Sequence, residues 1–426
     1  MHFAARTNRR LLRMAAAVGT VTLISLAVTL AADASAAGRR ASHARSSGAS
    51  PTISKQVWGT ADGQSVSLYT LRSGNGMTVK ISNYGGVIQS IWVPGRNGSV
   101  ANVALGFKSL EDYVNDFEHQ PWPAAGGSGD TYFGAAIGRY ANRIADHSFT
   151  LNGVTYNLVG NNGPNNINTL HGGPLAWNTK VWTVLGTTTS PSGVALRLQY
   201  VDPDGYNGFP GEVTVMLTYT LTRTNALRVE WHATTTKPTV INVTQHTYFN
   251  LAGEASGPVY DQLLKINGDQ FTPTDANLIP TGQFVNVAGT PFDFRQLHPI
   301  GKYILDASLP WGDQLTTAHG YDHNWVLNGP LGHLNLAAVA EDPGSGREVT
   351  TYTTEPGLQV YTGNFLVGDL VGSSGHIYRQ TSAFTLETQH YPDSPHHIGQ
   401  AGWPSVVLNP GQRFSSTTVY QFSVAR

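Results

Sequence analysis

The stretch Val213-Thr214-Val215-Met216-Leu217-Thr218-Tyr219-Thr220-Leu221-Thr222-Arg223-Thr224-Asn225-Ala226-Leu227-Arg228-Val229-Glu230-Trp231-His232-Ala233 decides the fold class. Val213, Val215, Leu217, Tyr219 and Leu221 alternate with Thr214, Met216, Thr218 and Thr220. After the Thr224-Asn225 turn the same period of two returns in Leu227, Val229, Trp231 and Ala233. Successive strand side chains point to opposite faces, so this pattern predicts two antiparallel strands with one buried face.

Working towards the N-terminus, Val154, Tyr156 and Leu158 alternate after Phe149, Leu151 and the Asn152-Gly153 turn, which predicts a hairpin. Shorter runs at Val66–Thr70, Met77–Ile81 and Val87–Val93 are separated by Asn, Gly and Pro turns. Charged residues make up only 12% of the chain, with 47 glycines and 23 prolines, a strand-and-turn composition. The 426 residues allow one large all-β domain. Amphipathic helix patterns are almost absent, and there is no fixed-period repeat. Asn115–Asp130, with two prolines and Gly126-Gly127-Ser128-Gly129, is expected to be a surface loop or lid.

The N-terminus reads as an export signal. Arg6, Arg9, Arg10 and Arg13 precede an apolar run from Met14 to Ala32 and a small-residue cleavage site at Ala32-Asp33-Ala34 or Ala34-Ser35-Ala36. Residues 1–36 are therefore expected to be a signal peptide, 37–54 a flexible tail and 55–426 the folded domain. The expected product is secreted, with no membrane span left after cleavage. Removing four arginines and one aspartate leaves 22 basic against 26 acidic residues and no basic cluster, which speaks against nucleic-acid binding. Without cysteine the chain has no disulfides and no thiol catalysis. No Gly-x-Ser-x-Gly elbow supports a serine nucleophile. His390, His396 and His397 match no metal-ligand spacing, and neither metal nor other cofactor is expected.

Beyond the strand pair, Val243-Thr244-Gln245-His246-Thr247-Tyr248-Phe249-Asn250 sets a histidine in an uncharged, aromatic segment. Histidine is the side chain most easily tuned to titrate near neutral pH. Arg139 and Arg143 lie in a glycine-rich aromatic segment; each could hold sugar hydroxyls or a carboxylate, or tie a loop down through backbone carbonyls. His171 stands against Gly172-Gly173, where backbone can approach a ligand closely. Asp322 precedes His323, and Glu387 stands in a strand of apolar and threonine neighbours.

In order along the chain, Asn83-Tyr84-Gly85-Gly86, Leu105-Gly106-Phe107, Gly138-Arg139 with Ala141-Asn142-Arg143-Ile144, Leu170-His171-Gly172-Gly173, His246 to Gly253, Tyr321-Asp322-His323-Asn324, Gln359 with Tyr361-Thr362-Gly363-Asn364, and Leu386-Glu387-Thr388-Gln389 resemble the aldose 1-epimerase (galactose mutarotase) family. The resemblance runs from about Val57 to Phe422. It implies a large antiparallel β-sandwich with an open sugar-binding cleft, and interconversion of the α and β anomers of free aldohexoses such as glucose and galactose. It further implies that Glu387 is the base on the anomeric hydroxyl and His246 the acid on the ring oxygen. Asn142, Arg143, His171, Tyr248, Asp322 and Gln359 match substrate-binding positions, and a monomer acting on a free monosaccharide is expected. The rival readings are a non-catalytic carbohydrate-binding domain on the same fold and a glycoside hydrolase using Glu387 with Asp322. Because histidine titrates near 6.5, nearby carboxylates such as Asp322 or Glu387 are expected to raise the His246 pKa.

Overall fold

The pair Val213–Thr222 and Ala226–Thr235 is antiparallel, in register from Val213↔Thr235 to Leu221↔Leu227. Along the first strand every second residue is buried while the threonines and Met216 are half-exposed, as the alternation requires. A computed structural model describes residues 49–119 and 128–425. The expected signal peptide, and the expected tail up to residue 48, lie outside the described residues. The end of that tail is strand instead: Thr52–Ala61 ladders onto Gln64–Arg72, starting at Thr52↔Arg72.

The pair forms the third and fourth strands of a nine-stranded sheet running in the order Thr183–Ser190, Gly193–Asp202, Val213–Thr222, Ala226–Thr235, Phe414–Val424, Arg347–Thr353, Asn335–Glu341, Leu263–Ile266 and His298–Pro299. A five-stranded meander from Thr52 to Asn102 forms a second sheet. A third carries Val285–Asn286, Gln270–Thr272, Asp322–Val326, Gly357–Tyr361 and Glu387–Gln389 in that order. Val79 and Ile91 of the meander, Leu196, Leu217 and Val229 of the large sheet, and Phe271, Trp325 and Leu358 of the third all belong to one core cluster. The architecture is thus the expected antiparallel sandwich of open sheets. Trp177 and Trp182 are buried in that same core.

The loop expected over Asn115–Asp130 is helix at its start. Leu110–His119 is α-helical and buries Leu110, Tyr113 and Phe117 on one stripe. Ser109 caps it: its hydroxyl accepts the Asp112 amide at 3.2 Å, and Asp112 Oδ2 accepts the Ser109 amide at 3.1 Å. That spacing was a readable helix signal in the sequence. Residues 120–127 of the expected loop lie outside the described residues.

Candidate active site

The third sheet brings the acids together by register. Asn324 pairs with Gln359, and Gln359 pairs with Glu387. With side chains alternating along each strand, Asp322, Asn324, Gln359 and Glu387 share one face, while Trp325, Leu358 and Val360 face the core. His246 comes from a different ladder. Thr244–Gln245 pairs with Ala136–Ile137, and Tyr248–Phe249 pairs with Phe384–Thr385, two residues before Glu387. The backbone of His246 is held on both sides, its amide by Ala135 O and its carbonyl by the Gly134 amide, each at 2.9 Å.

Asn142, Arg143, His171, His246, Tyr248, Asp322 and Glu387 line one cavity, together with Ser128, Asp130, Thr131 and Tyr132. His246 Nε2 lies 3.4 Å from Glu387 Oε1 with both side chains almost wholly buried. Thr385 donates a 2.8 Å hydrogen bond to the same Oε1. His246 Nδ1 and Glu387 Oε2 are buried without a partner among the described residues. Arg143 Nη2 reaches Asp322 Oδ2 at 3.3 Å, and its Nε donates to Asn162 Oδ1 at 3.1 Å.

Gln359 is the expected site residue that does not reach the cavity wall. Its Nε2 donates to Asp322 Oδ1 at 2.7 Å, so it stands behind Asp322 and orients it. The two arginines have separated in role. Arg139 is buried in the fold, donating to Asp202 at 2.8 Å and to the carbonyls of Pro210 and Gly211 at 2.8 and 2.7 Å, whereas Arg143 faces the cavity. Gly172 meets backbone and not a ligand: at φ +89° a Cβ would lie 2.3 Å from the Gly138 carbonyl oxygen.

Burial dominates the electrostatics. It pushes His246 down to about 4; the pull of Asp322 in the opposite direction is weaker. The carboxylates therefore do not raise the His246 pKa, contrary to the expectation from proximity alone, because removing the imidazolium from water outweighs them. Burial likewise pushes Glu387 up to about 8, against the hydrogen bond from Thr385. The pair thus favours neutral imidazole beside a protonated carboxyl, which avoids two desolvated charges. His171 is also held neutral, pushed well below its usual range by burial and by His246 and Arg143. Its Nδ1 accepts the Asn142 amide at 3.1 Å, so Nε2 carries the hydrogen and is a donor.

His171, His246 and Glu387 offer ligand-type atoms within 4.8 Å of one another, the grouping among the described residues that could approach a metal ion. The His171 tautomer opposes it, since a metal needs the Nε2 lone pair. His396 and His397 instead sit on Asp393, and His390 on Glu355. The sequence reading missed Asp130 and Thr131 as cavity residues, and no motif marked them; Thr385 was readable as the same-face neighbour of Glu387 two residues away.

The aldose 1-epimerase family profile matches residues 67–421. The chain is 40% identical over 349 residues to galactose mutarotase from Bos taurus, covering 82% of this chain and 92% of the relative. It is 36% identical over 363 residues to aldose 1-epimerase from Escherichia coli strain K12, covering 85% and 96%. The crystal structure of galactose 1-epimerase from Lactobacillus acidophilus NCFM superposes with a TM-score of 0.74 at 27% identity, covering 88% of this chain and all of that one. With the profile spanning most of the sandwich and its cavity, the chain belongs to the aldose 1-epimerase family.

Proposed function

We propose that this chain interconverts the α and β anomers of free aldohexoses, galactose and glucose among them, with His246 and Glu387 as the proton-transferring pair. Family membership makes it an isomerase, and the relatives named galactose mutarotase and aldose 1-epimerase support anomer interconversion. The observation that carries the residue roles is the 3.4 Å approach of two buried proton carriers with idle atoms, His246 Nδ1 and Glu387 Oε2, on one cavity wall.

The chemistry matches that spacing, because the anomeric hydroxyl and the ring oxygen are bound to the same carbon. With the one proton the pair shares resting on His246, Glu387 removes the proton of the anomeric hydroxyl as the C1=O double bond forms and the bond from C1 to the ring oxygen breaks. His246 donates its proton to the leaving ring oxygen. Glu387 is then protonated and His246 neutral, which is the distribution of the proton that burial favours. Rotation about C1–C2 presents the other aldehyde face. On reclosure His246 takes its proton back and Glu387 returns its own, so nothing is consumed. Each positioned acid or base typically contributes about 10²–10⁴-fold. The Arg143–Asp322 pair, the Nε2–H of His171 and Asn142 supply donors and acceptors for the remaining hydroxyls, with Tyr248 beside them.

Polarimetry on fresh α-D-galactose and α-D-glucose tests the proposal. Wild type should accelerate mutarotation, while Glu387→Gln should lose turnover and keep most of its sugar affinity. Unchanged turnover in Glu387→Gln would reject the assignment. Export and a monomeric product are part of the same proposal, and the basic and apolar N-terminal pattern supports the export. A culture-supernatant protein beginning near Ser35 to Gly38 and of monomer mass would agree; one confined to the cytoplasm would not.

A further inference from the structure

The segment Ser128–Tyr132 reaches the cavity between two carboxylate anchors. At one end the Ser128 amide donates to Asp369 Oδ2 at 2.9 Å, its hydroxyl donates to the same carboxylate, and its oxygen accepts the Val367 amide at 3.1 Å. At the other, the Thr131 amide and hydroxyl both donate to Asp116 Oδ2, at 3.1 and 2.7 Å, and the Thr131 carbonyl accepts the Tyr248 hydroxyl at 2.9 Å. Asp130 stands between these anchors and lines the cavity that holds His246 and Glu387. Its Oδ1 accepts the Tyr132 amide at 3.2 Å, the Tyr132 side chain hydrogen-bonds the carboxyl as well, and Oδ2 takes a long 3.4 Å contact from Asn178 Nδ2. Tyr132, at φ +55°, packs its ring edge-on against His171 at 4.6 Å and near His246 at 5.7 Å. A backbone held at both ends, with a left-handed residue after it, fixes where the Asp130 carboxyl points.

We propose that Asp130 accepts a hydrogen bond from one sugar hydroxyl other than the anomeric one, and so helps set which aldoses this enzyme takes. The proposal rests on the cavity being the sugar site. Burial and the neighbouring Asp116 push the Asp130 pKa well above the ordinary carboxylate range, a cost that a hydroxyl partner would offset. Glu387 is committed to the proton transfer and Asp322, held by Arg143 and Gln359, serves other hydroxyls of the sugar, so Asp130 adds a further acceptor to the same cavity. Such a site discriminates between sugars differing at one hydroxyl, because the analogue lacking it leaves a half-buried acceptor without that partner.

The test is a coupling experiment on the purified full chain. Polarimetric kcat and KM are measured for wild type, Asp130→Asn and Asp130→Ser with D-galactose and its 2-, 3-, 4- and 6-deoxy analogues. Both variants can still accept the Tyr132 amide, and thermal melts confirm their folding. With D-galactose, KM should rise about 10- to 100-fold while kcat changes less than about threefold. For one deoxy analogue wild type should already show that loss, and the substitutions should add less than about threefold to it. An equal penalty on every analogue, or none on any, overturns the role of Asp130. A wild type that accelerates none of the sugars overturns the sugar-site reading and this inference together.

Discussion

Among the described residues two histidine–glutamate pairs, one half-buried at its histidine and one wholly buried, are built differently. His390 Nδ1 and Glu355 Oε2 meet at 2.7 Å, a closed hydrogen bond beside a groove lined by Pro356, Val406 and Phe414. His246 Nε2 and Glu387 Oε1 stop at 3.4 Å, and one polar atom of each is left without a partner among the described residues. A pair whose task is to join two segments completes its bond. A pair held slightly apart at a cavity, with pKa values displaced in opposite directions and idle atoms, keeps its hydrogen-bonding capacity for a ligand.

Substitution should separate the pairs first through turnover. Glu387→Gln and His246→Asn should each lower kcat by about 10²–10⁴-fold, whereas Glu355→Gln should leave it within about twofold, all by polarimetry. Comparable losses from both glutamates would erase the distinction. Next in size, Asp322→Asn weakens the hold on the buried Arg143 and should raise KM by about 10- to 100-fold without matching the kcat loss of Glu387→Gln.

Stability sharpens the contrast in the opposite sense. The folded pKa of Glu387 lies above its ordinary 4.5, so the stability linked to its protonated form is fully present below about 4.5 and is lost as pH rises through about 8. Glu387→Gln has no such loss. Its melting temperature should therefore gain on wild type as pH is raised across that window, a stability–function exchange visible by calorimetry at pH 5 and pH 8. Glu355→Gln should show the smaller effect, a destabilisation of about 1–2 kcal/mol from weakening a completed hydrogen bond.

The sandwich was legible in the sequence because its central strands keep threonine outside and aliphatic or aromatic residues inside, as at Val213–Thr222. The candidate pair was legible through its ordered motifs. What surrounds it was less so, because it depends on residues far apart in the chain. Nothing local in Ala141-Asn142-Arg143 says that Arg143 faces a cavity while Arg139 ties down the loop at Pro210-Gly211; the fold decides it. Gln359 shares the face of Glu387 but is taken up by Asp322. The His246 pKa was read from its nearest charges, and burial by several sheets reversed the direction.

The pH dependence of kcat/KM for mutarotation, followed by polarimetry from pH 3 to pH 9.5, tests the central claim most directly. With His246 pushed down to about 4 and Glu387 up to about 8, the pair holds a single shared proton between those values. Below that window it gains a second proton and cannot accept one; above it, it has none to give. The account predicts a plateau between about pH 5 and pH 7, with both limbs falling outside it and the alkaline limb near 8. A single limb centred near 6.5, the signature of an ordinary histidine titrating independently, would contradict the shared-proton pair.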